Sequence, residues 1–167
     1  MDVILNRRSI REYQDKLIPE AVIQDLLRAA MQAPSAGNEQ PWQFVVINDQ
    51  DKLDLIPTVH PHAHMLLKAP LAILVCADIS LDLYDGAYWY QDCAAATENL
   101  LLAATVKRLG SVWLGVYPDQ NRMQGLKNLF NLPEQIIPFS LVSLGFPTEI
   151  KKPAARFDKD RIHYNNW

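Results

Sequence analysis

The sequence predicts an α+β or mixed α/β layer structure, and three observations support this class. Four short apolar runs with the composition of β-strands alternate with segments whose apolar residues recur at helical spacing. Residues 87–109 form a long helix-compatible stretch without proline or interior glycine. The 167 residues show no internal repeat, low-complexity segment or linker, so we expect one domain over residues 1–167 with a substantial core.

The strands are predicted from apolar runs bounded by turn residues. They are expected at residues 43–47, 71–77, 112–117 and 139–145. The run from Leu71 to Ala77 is apolar at every position, which is typical of a strand that is buried on both faces. We therefore expect this second strand in the centre of the sheet.

Caps and apolar periodicity predict the shorter helices. Asp2 is placed to cap a first helix, and Pro19 suits the first position of a second helix that ends before Pro34. Two further helices are expected, one at residues 52–56 after a turn and cap at 48–51, and one from Asp119 to Phe130.

The predicted long helix is apolar around nearly its whole circumference. A helix of this kind has to be buried on all sides. Either it lies at the centre of the domain, or a second subunit covers one side, where the alanines at 94–96 would allow a partner helix to approach closely. We favour the second subunit, because the carboxyl-terminal tail also carries large apolar side chains that need a surface on which to dock. These side chains are Phe157, Ile162, Tyr164 and Trp167.

Charge and composition exclude several classes of protein. Sixteen basic and nineteen acidic residues give a net charge of -3, so the protein as a whole would repel nucleic acid. The amino end is charged within its first eight residues and no apolar run reaches the length of a membrane span, so we expect a cytoplasmic protein. Cys76 and Cys93 lie in apolar and helical runs, the usual setting of reduced, packed thiols.

A basic cluster near the amino end, Arg7-Arg8-Ser9-Ile10-Arg11, predicts an anion site. In an extended backbone residues two apart share a face, so Arg7, Ser9 and Arg11 would point at one anion. A guanidinium matches phosphate oxygens two at a time, and the serine hydroxyl adds another donor. A solvated basic surface is the competing interpretation of so short a cluster.

Three histidines within five residues, His60, His62 and His64, raise the question of a metal site. Alternate residues do not share a helix face, Pro61 interrupts the run, and no nearby carboxylate or cysteine supplies a further ligand. We therefore favour a polar pocket wall or a surface over a metal site here.

Sequence motifs for the commoner chemistries are missing. The sequence contains no GxGxxG, GxxxxGK[ST], GxSxG or HExxH pattern, and six glycines are few for a glycine-built phosphate cradle. Asp92 and Glu98, within the apolar helix, are more typical of structural anchors that bond backbone or an arginine than of catalysts. His163 has no partner identifiable by spacing. A chain so poor in acid, base and nucleophile signatures borrows its chemistry from a cofactor, and we name no catalytic residue.

An ordered set of motifs resembles the FMN-dependent nitroreductase family over nearly the whole chain. The set comprises the basic cluster, Ala33-Pro34-Ser35 with Asn38-Glu39-Gln40-Pro41-Trp42, the run Glu98-Asn99-Leu100-Leu101-Leu102-Ala103-Ala104, Trp113-Leu114-Gly115, Leu144-Gly145-Phe146-Pro147, and Arg156-Phe157 with Ile162-His163-Tyr164-Asn165. Each motif is weak alone, and their order makes the set specific. The resemblance implies a short α+β member: a central mixed β-sheet flanked by helices, a long buried helix at a homodimer interface, an extended carboxyl-terminal arm and two FMN sites between the subunits.

The resemblance also implies the residues that hold FMN. The phosphate and ribityl side would be held by Arg7, Arg8, Ser9 and Arg11, with Arg156 closing on the phosphate. The other subunit would contribute Pro34, Ser35, Ala36 and Asn38. The isoalloxazine would lie against Trp113, Leu114, Gly115 and Val116. His62 and Met65 stand where family members contact the ribityl chain or the ring edge, and His62 is the favoured contact.

The implied activity is electron transfer from NADH or NADPH through bound FMN to a nitroaromatic, a quinone or a similar electrophilic acceptor. One site would serve donor and acceptor in turn, which is a ping-pong mechanism. Only a loop is expected at residues 78–86, where larger relatives carry covering helices, so the pocket should be open. Two alternatives remain. The flavin site serves other redox chemistry, such as dehalogenation, ring dehydrogenation or flavin breakdown, or the protein binds FMN without turnover.

Overall fold

A computed structural model describes residues 1–149 and 151–167, and its centre is a four-stranded β-sheet. The strands are β1 (Trp42–Ile47), β2 (Leu71–Asp78), β3 (Gly110–Gly115) and β4 (Ile136–Gly145). Their spatial order is β1-β2-β4-β3. All four predicted strands are confirmed, and β2 lies inside the sheet with every residue from Leu71 to Ala77 fully buried, as its apolar run predicted.

The sheet differs from the expectation in its strand directions. A mixed sheet was expected, whereas every neighbouring pair among the four strands is antiparallel. Among the described residues, parallel pairing is confined to an isolated bridge between Ser9 and Ser111 at the outer side of β3. The strand β3 also begins two residues earlier than predicted, because Gly110 and Ser111 pair with Gly145 and Leu144 of β4. Such a pairing partner leaves no mark in the local sequence.

Five α-helices surround the sheet in the described part of the chain. They are α1 (Asp2–Asn6), α2 (Glu20–Ala30), α3 (Gln50–Leu55), α4 (Trp89–Val106) and α5 (Gln120–Phe130). The caps predicted near Asp49 and at Asp119 are confirmed, since both carboxylates accept backbone N–H bonds at the start of a helix. Asp2 is not a cap: α1 begins at Asp2 itself, with Met1 before it, so the carboxylate lies in the first turn. Pro19 precedes α2 as its cap residue.

Apolar side chains cover both faces of the sheet. One cluster joins the sheet to α3, α5 and the turns around His60, and includes Leu53, Leu66, Leu74, Leu126 and Leu141. A second cluster joins the opposite face to α2 and α4, and includes Leu26, Ile73, Leu100, Val142 and Leu144. Full burial of a side chain of this size contributes about 1.5 to 3 kcal/mol. Cys76 and Cys93 are free and buried, and burial raises the pKa of the Cys76 thiol to about 12.

The long helix α4 is not buried on all sides within one copy of the chain. Its buried face includes Cys93, Ala96, Leu100 and Ala104. The opposite side is half-exposed at Ala94, Ala95 and Leu102, and Val106 is 66% exposed. Residues 151–167 are all exposed, with one 3-10 turn at Lys159–Arg161. In residues 1–149 and 151–167 no helix is both long and apolar enough to cross a membrane. The cytoplasmic location stays a prediction.

Candidate functional site

The basic cluster is anchored beside the sheet by Ser9 and Ile10. Ser9 bridges to Ser111 of β3, and the Ile10 N–H donates to the Ser111 carbonyl at 2.9 Å. The Ile10 side chain packs against Gly110 so closely that a Cβ there would lie 2.6 Å from it. Tyr13 continues the attachment by bridging to Pro147. Because the backbone is tied to β3, the arginines of the cluster are held at fixed places on the surface.

One cavity, the arginine cavity, lies at the amino end of the cluster and encloses about 440 Å³. Three arginines, Arg7, Arg8 and Arg156, and a single carboxylate line this cavity. Arg7 Nε lies 3.5 Å from Glu98 Oε1, so Glu98 is the arginine-bonding anchor that the sequence predicted. The lining residues are Ile4, Leu5, Arg7, Arg8, Glu98, Ala154, Ala155, Arg156 and Phe157. Three guanidinium groups against one carboxylate leave the cavity suited to an anion.

Arg8 joins the cluster to the carboxyl-terminal segment. Its Nε donates to the Lys152 carbonyl at 2.9 Å, and its Nη1 donates to the Arg7 carbonyl. Lys151 Nζ adds a bond to the Ser9 carbonyl at 3.2 Å. Arg8 Nη2 is buried and has no hydrogen-bond partner among the described residues. A buried donor without a partner costs about 1 to 3 kcal/mol, so an anion bound beside Arg8 would remove that penalty.

A second cavity, the strand-end cavity, lies where β3 ends and encloses about 460 Å³. Its lining residues are Arg11, His60, Pro61, His62, His64, Met65, Trp113, Leu114, Gly115 and Arg122. Gly115 is exposed, and a Cβ built on it would meet no atom within 4 Å. The backbone therefore presents a flat, open surface at Gly115. A larger cavity of about 570 Å³ adjoins this one through Arg11, His64 and Met65.

The carbonyl of Gly115 is held by two side chains that the sequence analysis did not assign to the site. Arg122 Nη1 donates to it at 2.8 Å, and His60 Nε2 lies 3.0 Å from it. Because a carbonyl only accepts, Nε2 carries the hydrogen. Burial lowers the pKa of His60, which favours the neutral ring, and its Nδ1 is buried without a partner among the described residues. His60 belongs to the histidine run that was expected to form a polar pocket wall or a surface, whereas nothing in the sequence marks Arg122.

The other residues of the predicted site are placed differently. His62 and Met65 both line the strand-end cavity, so its wall includes both predicted contacts. Ser9 faces neither cavity, because it is engaged with β3. Val116 is fully buried and its N–H donates to the Phe139 carbonyl at 3.3 Å, so its side chain does not reach the cavity. The rings of His60 and His62 lie 6.3 Å apart, and residues 1–149 and 151–167 gather no cluster of three metal-ligating side chains.

The predicted partner-contacting loop, residues 34–38, is separate from both cavities of the same chain. It forms a tight turn at Ala36–Asn38, with positive φ at Gly37 and Asn38. The Ala36 N–H donates to Asp92 Oδ1 at 3.1 Å, which fixes the loop to α4. Asp92 is thus the backbone-bonding anchor that the sequence predicted. The structure brings together Arg7, Arg8 and Arg156 at one cavity and Arg11, His62, Trp113, Leu114 and Gly115 at another.

Fold and site together define a nitroreductase-like α+β protein. The arginine cavity and the strand-end cavity, which Gly115 lines, lie at the two ends of the segment from Arg7 to Arg11. The model of the nitroreductase family matches residues 4–66 and 58–146, so the chain belongs to the nitroreductase family.

Relatives and solved structures agree with this membership. A Methanothermobacter thermautotrophicus protein provisionally named NADH dehydrogenase/NAD(P)H nitroreductase is 48% identical over 167 residues, 100% of this chain and 87% of that protein. A Clostridium acetobutylicum structure provisionally named NADH oxidase is 46% identical with a TM-score of 0.96, over 99% of this chain and 100% of that one. A Clostridium difficile structure named FMN-dependent nitroreductase is 28% identical with a TM-score of 0.92, over 100% of both chains.

Proposed function

We propose that this member of the nitroreductase family is an FMN-dependent oxidoreductase whose flavin-binding domain spans residues 1–167. NADH or NADPH would be the electron donor, and a nitroaromatic, a quinone or a similar electrophile the acceptor. One observation carries this proposal: the arginine cavity and the strand-end cavity lie at opposite ends of the segment from Arg7 to Arg11. In extended backbone these residues are roughly 13 Å apart, a separation suited to a ligand with a phosphate at one end and a ring at the other.

The residues present fit FMN on two structural grounds. Arg8 Nη2, buried and without a described partner, needs an acceptor such as a phosphate oxygen. The open space over Gly115, which no described atom enters within 4 Å of a Cβ position, admits the close approach of a flat ring. Arg7, Arg8 and Arg156 would hold the phosphate and ribityl side, and Arg11, His62, Trp113, Leu114 and Gly115 would face the ring. Ser9, which is engaged with β3, and Val116, which is buried, would not contact FMN through their side chains.

FMN held at this site would supply the hydride chemistry between the nicotinamide donor and the acceptor, which would use the site in turn. The chain's own residues position and tune the cofactor. Arg11 and Arg122 bring positive charge to the strand-end cavity, where negative charge on a reduced ring would be stabilised. His60 and Arg122 fix the Gly115 carbonyl, which holds the end of β3 in one conformation. No side chain needs to act as general acid.

A homodimer with FMN between the subunits completes the proposal. The half-exposed side of α4 and the exposed arm side chains, with Phe157 78% and Tyr164 83% exposed, are the surfaces that a second copy would cover. The loop of Pro34, Ser35, Ala36 and Asn38 lies away from both cavities of its own chain, which supports its assignment to the flavin of the partner subunit.

The first experiment is the visible absorption spectrum of the purified protein, before and after NADH or NADPH is added without oxygen. A flavin spectrum that bleaches is the expected result. A colourless protein that also takes up no added FMN would contradict the proposal. Retained flavin that neither nicotinamide bleaches would favour other redox chemistry at the same site.

Steady-state kinetics test the order of the two half-reactions. Parallel lines in double-reciprocal plots of rate against donor at several acceptor concentrations are expected for a ping-pong mechanism. Lines that intersect to the left of the axis would overturn it. Retained flavin without reduction of any acceptor by any donor tried would instead favour a protein that binds FMN without turnover.

A further inference from the structure

Three carboxylates meet between the loop of residues 34–40 and the amino end of α4. Each uses one oxygen to accept a backbone N–H bond: Asp92 Oδ1 from Ala36 at 3.1 Å, Glu39 Oε2 from Leu83 at 2.9 Å, and Asp82 Oδ2 from Gly86. The other oxygen of each, Asp92 Oδ2, Glu39 Oε1 and Asp82 Oδ1, is buried and has no partner among the described residues. The flavin assignment does not account for these three acceptors.

These carboxylates have no direct ion-pair partner in residues 1–149 and 151–167. None of the three forms an ion pair with a described lysine or arginine, and Asp92 is only 6% exposed. The Glu39 carboxyl lies within hydrogen-bonding reach of the Asp92 carboxyl. Two ionised carboxylates at that separation repel each other strongly, and each also needs a donor for its free oxygen.

A single proton between Glu39 and Asp92 removes the charge repulsion and supplies the missing donor, because a protonated carboxyl donates a hydrogen bond to an ionised one. Burial raises the pKa of Glu39 above its usual value, and the negative charges of Asp92 and Asp82 raise it further, whereas the Leu83 N–H bond opposes the change. The groups that face Glu39 are Asp82 from the segment before α4, and Asp92 and the Cys93 thiol from α4 itself. Burial also raises the pKa of Cys93, so this thiol brings no negative charge to the cluster near neutral pH.

We propose that Glu39 keeps its proton and donates it to the Asp92 carboxylate, and that this carboxyl pair is the positioning device for the 34–38 loop. Asp92 holds the loop through Ala36, and Glu39 joins the far end of the loop to Leu83. Loss of the proton leaves two negative charges pressed together under the loop and drives the loop away from α4. The role in flavin binding rests on the proposed function, in which this loop reaches the FMN of the partner subunit.

The direction of the pH dependence follows from the raised pKa of Glu39. Below the usual pKa of a glutamic acid, about 4.3, the residue is protonated in folded and unfolded chains alike. As pH rises above that value the unfolded chain releases the proton first, so folded stability is lost until the pH passes the raised value. The loop is therefore held most firmly in acid and loosens as the pH rises.

The first test uses the full-length protein without added FMN. Thermal unfolding is followed from about pH 4 to pH 8 for wild type, Glu39→Gln and Asp92→Asn, with the exposed Glu134→Gln as the matched control. A glutamine or asparagine amide donates a hydrogen at every pH, as the protonated Glu39 carboxyl does in acid. Both pair variants should match wild type near pH 4 and become progressively more stable than wild type as pH rises, while Glu134→Gln should follow wild type throughout.

The second test couples the pair to the flavin. The Kd for FMN is titrated over the same pH range in wild type and Glu39→Gln. The FMN phosphate itself titrates near pH 6, but it does so equally in both proteins, so the ratio of the two Kd values isolates Glu39. This ratio should grow with pH by up to about tenfold per unit, the limit for one linked proton, with wild type the weaker binder.

The outcomes separate the inference from the proposed function. Unfolding profiles that stay parallel for wild type and both pair variants would overturn the proton between Glu39 and Asp92, as happens when a cation from a second copy neutralises the pair. Unfolding profiles that diverge as expected, together with a constant Kd ratio, would support the proton between Glu39 and Asp92 but refute its role in flavin binding. Failure of every variant and of wild type to bind FMN would refute the proposed function while the unfolding profiles still decide the pair.

Discussion

The arginine cavity and the strand-end cavity are built in opposite ways. Chain segments from the two ends of the sequence form the arginine cavity, and they are joined mainly through bonds from side chains to main-chain carbonyls, such as Arg8 to Lys152. The strand-end cavity is formed by the end of a core strand, where Leu114 is 5% exposed and His60 is 1% exposed. The arginine cavity is therefore formed where separate surface segments meet, and the strand-end cavity continues from the core.

This difference matches what each end of the proposed ligand needs. A phosphate is recognised by charge and by several equivalent oxygens, so arginines from separate chain segments suffice. A reacting ring has to be held within a fraction of an ångström, which requires groups supported by the core. The two cavities should then respond differently to mutation, since the first depends on charge and on chain ends and the second on space and rigid backbone.

Removal of residues 157–167 should give the largest effect, because it deletes the Phe157 wall of the arginine cavity and all the exposed apolar groups of the arm. The truncated protein is expected to be monomeric at low concentration, where the full chain is expected to remain a dimer. Sedimentation velocity over a concentration series measures this, with far-UV circular dichroism to confirm that the sheet and helices are retained. A truncated protein that stays dimeric at low concentration would show that the arm is not needed.

Arg7→Ala and Arg11→Ala should each weaken FMN binding by about 1.5 to 3 kcal/mol, because each removes a charge-assisted hydrogen bond. This corresponds to a rise in Kd of roughly 10- to 150-fold, measured by flavin fluorescence titration. Arg28→Ala is the matched control, since the Arg28 side chain is 73% exposed and pairs with Asp25 on the surface of α2. Unchanged affinity in both cavity variants would remove the assignment of the basic cluster to FMN.

Gly115→Ala should weaken FMN binding by about 1 to 3 kcal/mol, because the added methyl occupies the space reserved for the ring. The melting temperature of the protein without FMN should not change, since nothing lies within 4 Å of the new Cβ. Gly110→Ala is a control for the melting temperature. The new Cβ would lie 2.6 Å from the Ile10 side chain, so this variant should have a lower melting temperature than wild type. A variant at 115 with normal FMN affinity would place the ring elsewhere.

His60→Gln should give the smallest effect, confined to the pH dependence of stability. Burial lowers the pKa of His60, so below a pH of about 6.5 the unfolded chain binds a proton that the folded chain does not, and acid destabilises the fold. Glutamine can still donate to the Gly115 carbonyl but does not titrate. The variant should lose less stability than wild type between about pH 7 and pH 5 in thermal unfolding. Equal losses in both proteins would contradict the buried neutral ring.

Local patterns in the sequence were enough to predict the elements that depend on neighbouring residues. The apolar run of β2 predicted its central place, and the cap at Asp119 was readable because a capping carboxylate bonds residues two and three positions away. Alternation along Arg7, Ser9 and Arg11 predicted that all three point at one anion, whereas the structure places Arg7 and Arg11 at two different cavities and Ser9 against β3. The ordered motifs pointed to the correct family because they cover nearly the whole chain.

The sequence by itself determined the strands, most of the helices, the family and the basic character of the proposed phosphate end. Only the tertiary structure decided that the strands pair antiparallel, that His60 and Arg122 converge on the Gly115 carbonyl, and that Glu39 lies against Asp92. His60 and Gly115 are 55 residues apart in the chain, and Ala36 and its acceptor Asp92 are 56 apart. Pairing over such separations depends on how whole elements pack, and a single sequence carries no periodic or capping pattern that records it.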